Sequence, residues 1–280
     1  MRAPSLLELR RGCLAVSVLH DVDLEPAPDG VTLIGSPAVR VPWSECRRAL
    51  AGHDPESVAG RTRLADWLLA RRWGADAGPE HVERALRPVG LPVGHVLHPG
   101  LDWVRERVLG DALDLGLGAV DLDPADPDRV VLLPTTVLDA LGLDHDRCWQ
   151  HAKAHLEVQG ALAAERVRRD PRGQLRPYGG CDAVTLLGAR SLRAALAQDS
   201  GGLGAAVVPM RRRGWTRLAL IDPAFGPAAA AATQALDRGF SRPLLVTADE
   251  LALVPAGGRS EIVLRDPAVS DPWVGSLPYM

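Results

Sequence analysis

The run from Asp144 to about Arg169 is the longest stretch of this chain with one clean helical period, and it constrains everything around it. Asp144 can cap its start, acidic Asp146 falls in the first turn, and Asp170-Pro171 ends it. At 100° per residue Trp149, Ala152, Leu156, Ala163 and Val167 share a sector about 60° wide. A second stripe holds Cys148, His151 and His155, whose i, i+3, i+7 spacing sets them on neighbouring turns of one face. An apolar ridge this long needs other elements to cover it.

Those elements alternate irregularly between helix and strand, which predicts an α+β fold over a doubly wound sheet. Leu6–Arg10 and Cys13–Leu19 read as two strands of a hairpin about Arg11-Gly12, with further strands at Val31–Ile34 and Val39–Val41. Helices are expected from Pro42-Trp43-Ser44, from Asp54-Pro55-Glu56 through Arg72, over Glu80–Leu86 and over Leu101–Leu109. Gly and Pro punctuate residues 74–99 and suggest a boundary. The chain is therefore read as a strand-rich N-terminal module (1–90), a mixed main domain (91–266) and an extended tail (267–280). In the main domain Leu113–Leu122, Val130–Leu133, Asp182–Leu187, Ala205–Met210, Arg217–Ile221, Leu244–Thr247 and Glu261–Leu264 read as strands. Thr136–Leu141, Ser191–Gln198 and Pro227–Leu236 read as helices.

Of 280 residues, 46% are hydrophobic and 24% charged, which excludes general disorder, and the net charge of −3 favours no charged partner. Lys153 is the sole lysine among 32 basic residues, and asparagine is absent. Such usage reflects a GC-rich genome, and the chain resembles uncharacterised proteins of high-GC actinobacteria across most of its length. That resemblance implies no known activity. Cys13, Cys46, Cys148 and Cys181 are scattered without a CxxC, so reduced thiols in a cytoplasmic protein are expected. Acid and arginine precede any apolar run, so no signal peptide is expected, and no uncharged run is long enough to span a membrane.

Thiolate and imidazole suit zinc, which makes Cys148, His151 and His155 the sharpest metal candidate, although no fourth ligand is evident and Ala152 stands where HExxH requires Glu. Cys181, after Gly179-Gly180, is a candidate nucleophile. Arg172, Arg176 and Arg212 are candidates for holding an anion. Specific nucleic-acid binding is not expected from an acidic balance. Phosphate loops and the Gly-x-Ser-x-Gly elbow are absent.

Trp supplies seven of the aromatics against two Tyr and two Phe. Trp concentrates binding energy at interfaces, and Trp73, Trp215 and Trp273 lie near predicted bends or the tail. The favoured reading is thus a non-catalytic cytoplasmic protein-recognition or adaptor protein without cofactor, binding a protein partner or a second copy. Trp215, Trp273 and Tyr279 are its interface candidates. The alternative is a metal- or thiol-dependent enzyme centred on Cys148, His151 and His155, or on Cys181.

Overall fold

A computed structural model describes residues 3–100, 102–108, 112–217 and 224–254. The chain is an α+β protein, and the 25-residue helix α6 (His145–Arg169) lies at its centre. The Asp144 carboxylate accepts from the Arg147 N–H at 2.7 Å, and Arg166, Arg168 and Arg169 fill the last turn, complementing the helix dipole at both ends. Its apolar ridge of Trp149, Ala152, Leu156, Ala163 and Val167 is buried as the periodicity predicts. Gly160 lets it approach a neighbour closely: a Cβ there would sit 2.2 Å from the Ala189 Cβ. Ala189 immediately precedes helix α8 (Arg190–Gln198), which packs along α6.

The ridge covers a sheet in which β4 (Leu86–Pro92) pairs antiparallel with β6 (Leu113–Ala119), from Leu86↔Ala119 to Pro92↔Leu113. On the other side of β6 lie β5 (Arg105–Val108) and β7 (Val131–Leu132). A second sheet has the order β12-β11-β9-β10-β8, from β8 (Gln174–Leu175), β9 (Gly204–Met210), β10 (Arg213–Trp215), β11 (Leu244–Val246) and β12 (Leu251–Leu253). A small third sheet, β1 (Leu24–Pro26), β2 (Gly30–Leu33) and β3 (Val39–Pro42), belongs to the N-terminal half. With it go α1 (Leu6–His20), α2 (Trp43–Ala49) and α3 (Val58–Ala77). Helices α4 (Pro79–Ala85), α5 (Thr135–Ala140), α7 (Ala183–Leu186) and α9 (Phe225–Ala232), with a short 3-10 turn over Ala235–Asp237, complete the described elements.

The apolar interior forms two main clusters that meet along α3. Leu64 and Leu68 face the first, with Leu9, Val16 and Leu33, while Ala70 joins the second, with Leu117, Leu156 and Leu244. The boundary read at residue 90 falls inside β4, which is paired along its whole length.

Three local assignments are corrected. The predicted hairpin over Leu6–Leu19 is the single helix α1. Ser5 and Glu8 form a capping box, with Ser5 N donating to Glu8 Oε2 at 2.6 Å and Glu8 N to Ser5 Oγ at 3.3 Å, and Gly12 marks a close contact with Pro55 where a turn was expected. Within the predicted helix Leu101–Leu109, the described part carries strand β5, because Arg105–Val108 find hydrogen-bonding partners along β6. Asp182–Leu187 is the short helix α7, whose N-cap carboxylate accepts from the Thr185 N–H at 2.7 Å. The predicted strand Glu261–Leu264, most of Arg217–Ile221 and the tail with Trp273 and Tyr279 lie outside the described residues.

Candidate functional site

The helix face that carries Cys148, His151 and His155 does not bring three donors to one point. Cys148 is buried within the larger apolar cluster, and burial raises its thiol. His151 is exposed. The His155 Nε2 lies 2.8 Å from the Gly179 carbonyl, to which it donates. Burial holds the His155 imidazole below its ordinary value. Among the described residues no three His, Cys, Asp or Glu side chains gather as a metal site requires.

Cys181 is also buried, and its thiol is pushed up to about 12 by burial and then by Asp182. A protonated, enclosed thiol is a poor nucleophile at neutral pH. Nearby, Asp182 bridges to Arg211 at 2.6 Å. His95 belongs to the same neighbourhood, with its imidazole held down at about 4 by burial and then by the Arg211 guanidinium.

Two buried carboxylates organise polar networks with a structural purpose. Asp114 on β6 meets Arg105 at 2.8 Å, Arg107 at 3.1 Å and His98 at 3.2 Å. Burial pushes its carboxyl up, but these cations outweigh that and leave it below the usual range. Asp102 accepts from the Thr135 hydroxyl, and from the Thr136 N–H at 3.3 Å and hydroxyl at 2.9 Å. The Trp67 indole N–H reaches the same Thr136 hydroxyl at 3.2 Å, so the network ties α3 to α5.

The tryptophans are largely interior. Trp43, Trp67, Trp103 and Trp149 are buried, and each indole N–H has an acceptor: the Ala27 carbonyl, the Thr136 hydroxyl, the Leu117 carbonyl and the Glu106 carboxylate. Trp73 packs against the larger core beneath Arg129, 5.9 Å from its ring centroid. Trp215 is half-buried, edge-on to Phe225 with centroids 5.0 Å apart. Among the described residues, exposed apolar surface is concentrated elsewhere, on α1.

Helix α1 buries Leu9, Gly12, Cys13 and Val16 against its module and turns Leu7, Leu14 and Val18 outward. These three are 58%, 49% and 84% exposed and fall within about 40° of one another around the helix, with Arg11 beside them. Leu6 and Leu19 are exposed too, but on the two flanks of the helix, about 100° from this line. Sequence reasoning missed it because Leu6–Leu19 was divided into strands. The signal that locates it is Ser5-x-x-Glu8 ahead of an apolar run.

A second surface lies where α6 ends. Arg166, Arg169, Arg176 and Tyr178 line a groove of about 340 Å³ between the helix and β8. Arg176, one of the anticipated anion contacts, is thus in the groove wall. Arg172 adjoins it in the turn held by Asp170, whose carboxylate accepts from the Arg172 N–H at 2.9 Å. Arg212 is exposed at the β9–β10 turn. Comparison with family models, curated proteins and solved structures returned no match.

Proposed function

We propose that the protein is a cytoplasmic recognition protein without turnover of its own, and that the outward stripe of α1 is the face it presents to a protein partner. The observation that carries this reading is the alignment of Leu7, Leu14 and Val18 on the outer side of a helix whose inner side is already fully packed. Three large aliphatic side chains in one line, on the face opposite the core, take no part in the core of the described residues. Burying them against a partner contributes about 1 kcal/mol or more apiece. A straight stripe of this spacing suits an amphipathic helix laid alongside it.

The charges beside the stripe indicate the kind of helix. Arg11 lies next to it, Arg10 donates to the Ala27 carbonyl at 3.3 Å, and Arg47 reaches the Pro4 carbonyl at 3.4 Å. Of the nearby carboxylates, Glu8 serves the capping box and Glu56 faces Arg11 at 3.7 Å. The partner helix therefore carries aliphatic residues flanked by Asp or Glu. No described helix is long and apolar enough to cross a membrane, so the stripe is not part of a membrane span.

Selection of helical peptides from a random library against the full chain tests this. Enriched sequences should be amphipathic and acid-flanked, and Leu14→Glu with Val18→Glu should weaken them at least about tenfold, or 1.4 kcal/mol. Peptides that bind the double variant as tightly as the native chain would contradict the assignment. A dimer by light scattering that the same variant dissociates would replace the foreign partner with a second copy.

A further inference from the structure

Several exposed arginines have a carboxylate of their own. Arg147 meets Glu83 at 2.8 Å, Arg168 meets Asp199 at 2.9 Å and Arg190 meets Asp249 at 2.9 Å. At the groove that ends α6 the pairing is partial: Arg169 meets Glu165 at 3.3 Å, but Arg166 and Arg176 have no such partner among the described residues. Arg166 has its guanidinium over the Tyr178 ring, 4.9 Å from the centroid, and no acidic partner among the described residues. Arg176 is held by the neutral Gln174 side-chain oxygen, at 2.9 Å from its Nε. The β8–β10 register sets Gly214 opposite Leu175 and so carries Arg213 toward Arg176, two exposed cations, one opening β10 and one just past β8.

The last turn of a helix welcomes cations, and that accounts for Arg166 and Arg169. It does not account for Arg176, just past β8, or for Arg213, the first residue of β10. Like charges set side by side on neighbouring strands are destabilising unless something compensates them. The one carboxylate lining the groove, Asp170, accepts from the Arg172 N–H and forms no ion pair with either Arg166 or Arg176. Two guanidiniums, those of Arg166 and Arg176, therefore line one concave space without a carboxylate of their own. At about 340 Å³ the groove is the size of a small-molecule site.

We propose that this groove binds the phosphate group of a small molecule, with Arg166 and Arg176 as the direct donors. Guanidinium forks match the tetrahedral oxygens of phosphate in pairs, and two of them facing one space suit a dianion better than a single carboxylate. Arg166 is already oriented by its stacking on Tyr178, which lowers the entropy lost on binding. The site is independent of the α1 stripe.

Calorimetric titration of the full chain with inorganic pyrophosphate in low-salt buffer provides the test. Saturable binding is expected, weakened about tenfold by Arg166→Gln and by Arg176→Gln and unaffected by Arg190→Gln, whose partner Asp249 lies elsewhere. Both substituted arginines are exposed, so folding should survive, and a circular dichroism spectrum matching the native chain confirms it. Lack of saturable binding, or equal weakening by Arg190→Gln, would overturn the proposal. So would chloride at matched ionic strength competing as well as pyrophosphate. Tighter binding of a short single-stranded oligonucleotide than of pyrophosphate would overturn the small-molecule assignment.

Discussion

His95 shows how one side chain can record its surroundings. Its Nδ1 accepts from the Leu97 N–H at 3.2 Å, which leaves the proton of the neutral ring on Nε2. Burial and the neighbouring Arg211 lower its affinity for a second proton, with Asp182 only partly opposing them. The unfolded chain takes up that proton near pH 6.5 and the folded chain only near 4, so stability is complete above this window and falls as pH drops through it. Because the ring is half-buried, the loss should be about 1–2 kcal/mol, short of the full value. His95→Gln should flatten the dependence of Tm on pH between 6.5 and 4, and an unchanged slope would refute this account of the site. Burial raises the thiols of Cys148 and Cys181 in the same way, and in Cys46 a hydrogen bond with Cys13 raises the thiol first, with burial adding to it. All four cysteines are free and enclosed. Ellman's reagent should find them unreactive in the native protein and fully reactive once it is denatured. Rapid labelling of the native chain would show that one of them is accessible after all.

Helix α6 was legible because three signals agree in it: a capping Asp144, a period of 3.6 and a terminal Asp170-Pro171. Helix α1 was not, because Leu14-Ala15-Val16-Ser17-Val18 alternates like a strand and Arg11-Gly12 resembles a turn. There the capping box at Ser5 and Glu8 decided the outcome, and the reason for Gly12 was a long-range contact with Pro55 that no local pattern reveals. Strand β5 was hidden for a similar reason, since Arg105–Val108 is fixed by pairing with β6 and not by its own composition. Site residues followed the same rule. Arg176 could be named from its loop, but its convergence with Arg166 needed β8 to lie along the end of α6. The Cys148, His151 and His155 row was correctly placed on one helix, yet the packing of α6 sent its members to core, solvent and the Gly179 carbonyl respectively. Two substitutions test these elements. Ser5→Ala removes the cap of α1 and should cost about 1 kcal/mol, measured by urea unfolding. Gly160→Val must displace Ala189 from α6 and should cost about 2–3 kcal/mol, and a neutral result would contradict that close crossing.

Taken as a whole, the chain builds two apolar cores that meet along α3 and leaves two surfaces with more exposed chemistry than folding requires. The arginine groove adjoins α6 of the larger core, while the aliphatic stripe runs along α1 of the smaller one. The buried networks of Asp102 and Asp114 hold loops and strands in place, and Asp102→Ala should therefore lower stability by about 3 kcal/mol without altering recognition by α1. The stripe has no comparable structural duty, so changing it should leave stability intact and abolish binding. Methyl NMR of the full chain with a selected acid-flanked peptide tests this most directly. Saturating peptide should shift the methyl signals of Leu7, Leu14 and Val18 while those of Leu9 and Val16, on the packed side of the same helix, move far less. Shifts that bypass α1 and gather on another face of the molecule would contradict the account.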